Sequence, residues 1–144
     1  MLDIVITSHI KHKADVYQYV WDICKDLKIN RLNRSITIAF KRNLEEDAWG
    51  WAVGDTDECD IEINRSIPWQ YQMVTLAHEL VHAKQYFREE LTAGFAWKGK
   101  DWSKCVYEWQ PWERQAHMLE LKLWKKHWHK IDEKSLKKVL TSVV

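Results

Sequence analysis

Residues 73–86 read Met-Val-Thr-Leu-Ala-His-Glu-Leu-Val-His-Ala-Lys-Gln-Tyr, and within them His78, Glu79 and His82 set two imidazoles and a carboxylate at helical spacing. Side chains four apart on a helix lie one above the other, and a residue one step on is displaced by about 100°. His78 and His82 therefore converge on one point, with Glu79 beside them. Neutral imidazole nitrogens bind Zn²⁺ at about 2.0–2.1 Å, and a catalytic zinc takes three protein ligands and keeps a fourth position for water. The spacing predicts one zinc ion per chain, with Glu79 as a general base. The plain alternative is a pair of ordinary surface or core histidines, and context weighs against it. Thr75 and Tyr86 share the polar side, while Met73, Leu76, Ala77, Leu80, Ala83 and Phe87 form an opposite, apolar face for a core. Ser66-Ile67-Pro68 reads as the helix start, with the cap at Ser66 or Ile67 and Pro68 in the first turn.

Two histidines do not complete a zinc site. Downstream, a loop ends at Pro111, which would be the first residue of a second long helix reaching to about Lys130. Glu113 then falls in the first turn, where the positive end of the helix favours the ionised carboxylate that a metal needs. A glutamate there can equally serve the helix dipole or cap the backbone. His117, four residues on, shares the face and is the next candidate ligand, and Glu120 follows a turn later. His9, His12, His127 and His129 lie near the termini or on the basic last helix and read as solvent-facing or locally paired.

A helix with His-Glu-x-x-His, followed about thirty residues later by a helix with a glutamate, resembles the gluzincin metallopeptidases. The Pro111-Trp112-Glu113 helix start and the short chain are similar to their minimal forms, the minigluzincins and related small phage and bacterial zinc peptidases. The resemblance covers the middle half of the chain. It implies that His78, His82 and Glu113 are the zinc ligands, that Glu79 is the general base and acid, and that the substrate is a protein or peptide. Gluzincins often carry an acidic residue a turn after the glutamate ligand, orienting a ligand histidine; here that position is His117. The SprT-like DNA-associated proteases use a third histidine in a His-Gly segment, and no such segment occurs in this sequence.

These motifs have to be held by a fold. The 144 residues, 46% hydrophobic and 30% charged, suit one globular domain, expected over residues 1–144. A strand near Leu2–Thr7 precedes a helix from about Ala14 to Lys28, with Val16, Tyr19, Val20, Ile23, Cys24 and Leu27 inward. Ser35–Phe40 alternates as a strand, and Ala48–Val53 with Glu58–Asn64 reads as a hairpin around residues 54–57. The zinc helix runs from Pro68 to about Glu90, residues 92–110 form a loop, and the last helices close the site from below. The expectation is an α+β, zincin-like fold, a small mixed or antiparallel-rich sheet on the zinc helix. Ten tryptophans are many for this length. Packing accounts for most of Trp49, Trp51, Trp69, Trp97, Trp102, Trp109 and Trp112, leaving a minority as an aromatic wall for substrate side chains.

Absence of a long apolar run and of a signal-like start points to a cytoplasmic protein without a membrane partner. Cys24, Cys59 and Cys105 have no paired zinc-knuckle spacing and read as free thiols, with Cys59 and Cys105 able to approach each other. The net charge is +1, but residues 122–138 hold seven lysines against Asp132 and Glu133, a solvated face before a nucleic-acid patch.

The expected chemistry is peptide hydrolysis. Zinc lowers the pKa of a bound water to about 7, Glu79 takes its proton and later hands it to the leaving nitrogen, and a donor steadies the oxyanion. Tyr107 and His117 are the candidate donors, with Tyr86 third. Substrate would pair with Glu58–Asn64 by strand addition, its Glu58, Asp60 and Glu62 facing either the cleft or solvent. Two other functions fit the same residues: a DNA-associated protease brought to nucleic acid by the basic tail, and a non-catalytic zinc-containing binding domain that needs a partner.

Overall fold

A computed structural model describes residues 1–143, with the side chains of all but Glu108 and residues 129–143. The architecture is α+β, and its sheet follows from alternating apolar residues. β1 (Asp3–Ile6) buries Ile4 and Ile6, β2 (Ser35–Lys41) buries Ile36, Ile38 and Phe40, and β4 (Glu58–Asn64) buries Cys59, Ile61 and Ile63. β3 (Gly50–Gly54) forms the hairpin with β4, and the turn is locked by Asp55, whose Oδ1 accepts from the backbone N–H of Asp57 (2.8 Å) and Glu58 (2.9 Å). The strand order is β1-β2-β4-β3, with β1, β2 and β4 mutually parallel and β3 antiparallel on the outside. The sheet is mixed rather than antiparallel-rich.

The strand expected to meet substrate, Glu58–Asn64, is interior, with β2 on one side and β3 on the other. Its backbone is committed to neighbours and cannot add a strand; the outer strands are β1 and β3, and β3 is the one beside α2 and the cleft. Because alternate residues of β4 point inward, Glu58 and Asp60 are exposed and Glu62 pairs with Lys41 at 3.3 Å. None of the three lines the cleft described below.

α1 (Lys13–Asp26) buries Val16, Tyr19, Val20, Ile23 and Cys24, the three-and-four spacing of one helical face. The Tyr19 hydroxyl, fully buried, donates to the Met73 carbonyl at 2.7 Å and ties α1 to α2 (Trp69–Phe87). α2 has Pro68, not Ser66 or Ile67, at its cap position, and the Ser66 backbone N–H donates to Asn64 Oδ1 at 2.9 Å. Residues 92–110 are not a bare loop: β5 (Leu91–Thr92), β6 (Ala96–Trp97) and β7 (Lys100–Asp101) form a small antiparallel sheet, and a 3₁₀ turn at Tyr107–Trp109 leads into α3 (Pro111–Val143). A single helix, α3, replaces the expected last helices, and it is α2's main partner. His129 and Lys130, Lys134, Lys137 and Lys138, part of the basic segment, lie outside the described side chains.

Of the tryptophans near the motifs, Trp112 alone is fully buried; Trp49 and Trp109 are exposed and the rest half-buried. All three cysteines are free. Among the described residues no helix is long and apolar enough to cross a membrane.

β3 lies so close to α2 that a Cβ on Gly50 would sit 2.7 Å from Thr75 Cγ2 and 3.0 Å from the Glu62 carbonyl. Gly50→Ala should therefore destabilise the protein by about 1–3 kcal/mol in urea unfolding. Removing the obstructing methyl in Gly50→Ala/Thr75→Ser should recover part of the loss. A parent-like midpoint for Gly50→Ala would show that β3 is not wedged on the helix.

Candidate metal centre

α2 is the central helix of the molecule, covered by the sheet on one side and by α3 on the other. Its polar stripe is consequently interior: His78, Glu79 and His82 are 8%, 4% and 5% exposed. Burying such groups costs several kcal/mol unless each finds a partner. The two imidazoles stand edge to face, ring centres 4.9 Å apart, and their Nε2 atoms approach to 3.2 Å.

The third group arrives from α3. Pro111 opens that helix, as its fixed φ and missing N–H allow. Glu113 follows in the first turn and reaches across to α2, its Oε2 3.0 Å from His78 Nε2 and its Oε1 2.9 Å from His82 Nε2. A tetrahedral ion with bonds of about 2.0–2.1 Å separates its ligand atoms by about 3.3 Å. The two Nε2 atoms thus stand near the separation of two zinc ligands, and each meets one oxygen of Glu113 at a slightly shorter distance. A carboxylate oxygen of Glu79 comes within 4.8 Å of both histidines, yet Glu79 Oε2 is buried without a hydrogen-bond partner among the described residues.

A metal on Nε2 requires the ring proton on Nδ1, and each Nδ1 faces an oxygen. His82 Nδ1 lies 2.7 Å from Gln85 Oε1 and His78 Nδ1 lies 3.3 Å from Glu120 Oε2. Gln85 is fully buried, and its amide nitrogen donates at 2.9 Å to both the Trp112 carbonyl and Gln115 Oε1. One side chain therefore orients a histidine of α2 and fastens the α3 turn that carries Glu113. The acidic partner of His78 comes from position 120, seven residues after Glu113 rather than four.

His117 and Tyr107 sit at the mouth, both more than half exposed. Tyr107 OH donates to Glu113 Oε2 at 2.7 Å and lies 3.4 Å from His117 Nε2. The His117 ring stands 4.6 Å from that of His78, and its Nδ1 is 3.0 Å from Glu120 Oε1. His78, His117 and Glu120 form a second group with ligand atoms within 4.8 Å, but it is half exposed and shares His78, so the buried set has the stronger claim. Tyr86 is not among the residues lining the cleft; its hydroxyl is engaged by the Gly54 backbone. His9 is exposed, His12 lies 3.8 Å from Asp15, and His127 pairs with Asp26 at 2.7 Å.

The electrostatics are those of a site prepared for a cation. Burial opposes charge on both imidazoles, but hydrogen bonds to Glu113, joined for His78 by Glu120, outweigh it; His78 is pushed up to about 10 and His82 is raised. Burial would also raise Glu113, yet its bonds to His78 and His82 hold it well below the usual carboxylate range. Burial would raise Glu120 too, but its bonds to His78 and His117 lower it. Glu79 is raised, because burial outweighs the nearby histidines. Burial and then the Glu113 carboxylate raise Tyr107.

These groups open into a cleft of 450 Å³ between α3 and β3, walled on the strand side by Ala48, Trp49, Gly50, Trp51 and Ala52. Trp49 stacks on Tyr71, 5.4 Å between ring centres, and both are exposed at the rim. Compared with protein-family models, curated proteins and solved structures, the chain matches none of them.

Sequence reading missed Gln85 as an orienting group and gave Glu120 no role towards His78. The available signals were a polar residue one turn after His82 and an acid two turns after Glu113.

Two outcomes follow. Because His78 holds a proton up to about 10 without metal, zinc must displace it, so zinc affinity should rise with pH, about tenfold per unit for each proton displaced between pH 6 and 8. Calorimetry in buffers of different ionisation enthalpy should report the released protons, and a pH-independent affinity would contradict the proton count. Gln85→Ala, which frees the His82 ring, should weaken zinc binding about 10–100-fold in chelator competition. Unchanged affinity would mean that Gln85 serves packing alone.

Proposed function

We propose that this chain is a zincin-like zinc metallopeptidase, hydrolysing peptide bonds with Glu79 as general base. The observation that carries this reading is the convergence of His78 Nε2, His82 Nε2 and the Glu113 carboxylate, at 2.9–3.2 Å from one another, beside a buried Glu79 oxygen that has no hydrogen-bond partner among the described residues. Zinc held by these three would supply Lewis acidity, polarising a carbonyl and lowering the pKa of water to about 7.

The chain's own groups do the rest. Glu79 accepts the proton of the attacking water and returns it to the leaving nitrogen, a task suited to a carboxyl whose proton affinity burial has raised. Tyr107 stands at the mouth, with a hydroxyl that can turn from Glu113 to a developing oxyanion; His117 is the second donor. The cleft is walled along its length by β3, whose outer edge is free among the described residues, so an extended peptide can add there as a fifth strand. Strand addition reads backbone first, which favours unfolded or extended segments over folded surfaces. The free thiols of Cys24, Cys59 and Cys105 fit action in a reducing compartment.

Glu79→Gln separates chemistry from metal binding. Cleavage of a fluorogenic peptide library should fall about 10²–10⁴-fold, while zinc stays at one per chain. A zinc-loaded parent that cleaves no peptide, or a Glu79→Gln variant as active as the parent, would sink the reading.

A further inference from the structure

At the N-terminal end of α2, away from the metal, lies a second cavity of 380 Å³ that shares no lining residue with the cleft. Trp69 on its wall precedes His78 by nine residues, about 13.5 Å along the helix axis. The topology builds it. β1, β2 and β4 are parallel, so β1 and β4 end on the same edge of the sheet, and α1 and α2 both start from that edge. The crevice outside the carboxyl ends of parallel strands is where open sheets receive ligands. Arg65, whose Nη2 donates to the His9 carbonyl at 3.1 Å, ties the two connecting loops together.

The lining has a definite chemistry. Lys11, His12 and Arg65 stand against one carboxylate, Asp15, itself 3.8 Å from His12. Trp69 and Trp128 supply aromatic walls, edge to face with centres 5.8 Å apart. Gln72, 6% exposed, commits its amide nitrogen to the Ile67 and Arg65 carbonyls at 2.9 and 3.3 Å. Its amide oxygen is left, among the described residues, to accept from a ligand. Both helix starts add their positive ends, since neither the His12 nor the Pro68 cap position carries a side-chain cap.

We propose that this cavity binds a phosphorylated planar ring of the nucleotide class. The ring packs on the half-buried Trp69, which the buried Trp128 backs edge to face, a base N–H meets the Gln72 amide oxygen, and the phosphate lies by Lys11 and Arg65. The volume, near the lower end of ordinary ligand sites, accepts one mononucleotide. The same chemistry could come from a free nucleotide or from the phosphorylated end of a nucleic-acid strand. Neither source depends on the metal centre.

The test is calorimetric titration of the full chain with AMP, GMP, CMP, UMP, adenosine, inorganic phosphate and a 5′-phosphorylated tetranucleotide. At least one mononucleotide or the tetranucleotide should bind at one per chain with Kd below about 1 mM, and the matching nucleoside and free phosphate at least about tenfold more weakly. Tighter binding of the tetranucleotide assigns a strand end, and tighter binding of a mononucleotide assigns the free ligand. Lys11→Gln and Arg65→Gln should each weaken binding at least about tenfold, with the circular dichroism spectrum unchanged. Arg65 also holds His9, so Lys11→Gln is the decisive variant. No heat with any phosphorylated ligand at millimolar concentration, or affinity that neither variant changes, overturns the proposal.

Discussion

The Glu113 carboxylate bridging His78 and His82 across the contact of α2 and α3 is the interaction on which the rest depends. Each oxygen serves one imidazole, at 3.0 and 2.9 Å, and neither helix supplies both halves of the pair. Buried ionisable groups of one kind alone would be expelled or neutralised; together they offset each other's desolvation. Two histidines can therefore sit in the most enclosed helix of the molecule. Because the bridge joins two elements, its geometry is only as good as the docking of α3. Gln85 links that docking to the site: it touches His82 with one end of its amide and the Trp112 carbonyl with the other, so a shift of the α3 start and a rotation of the His82 ring are one displacement.

Around the bridge, partners are distributed unevenly. His78 has Glu113 and Glu120, His82 has Glu113 and Gln85, and Glu113 has Tyr107 as well. Glu79, more buried than either histidine, has one oxygen unsatisfied among the described residues. A buried acceptor left open is costly in a structural network, and such exceptions concentrate where a group must be free to exchange protons. The unevenness separates ligand-type groups, held from several sides, from one carboxyl held loosely beside them.

Much of this was legible in the chain. α2 and the Pro111 start of α3 announce themselves through local rules, periodicity and proline placement, which need no knowledge of the tertiary fold. Glu120 did not, because a residue seven on returns to within about 20° of the starting direction, and whether it or the residue four on meets His78 depends on how α3 crosses α2. That crossing is a tertiary quantity. The exchange of β3 for β4 as edge strand has the same origin. Glu58–Asn64 reads as one arm of a hairpin, and nothing local says that its other side takes the parallel partner β2. The amphipathic reading of α2 gave its apolar face, with Met73, Leu76, Ala77, Leu80, Ala83 and Phe87 buried, but how deeply the polar stripe is enclosed depends on the docking of α3.

The same parallel pairing gives α2 two different ends. Had β4 run antiparallel to β2, the chain would leave the sheet on the side opposite the start of α1, and Arg65 could not reach the His9 carbonyl. With β1, β2 and β4 parallel, the two helix starts, the basic loops and the Trp69–Trp128 pair are gathered at one edge, while the histidines lie about two and a half to three and a half turns further along the same helix. Tyr19 holds the segment between, its hydroxyl on the Met73 carbonyl, five residues before His78. A largely buried helix thus separates a cationic, aromatic cavity from the cleft, and no lining residue is common to both.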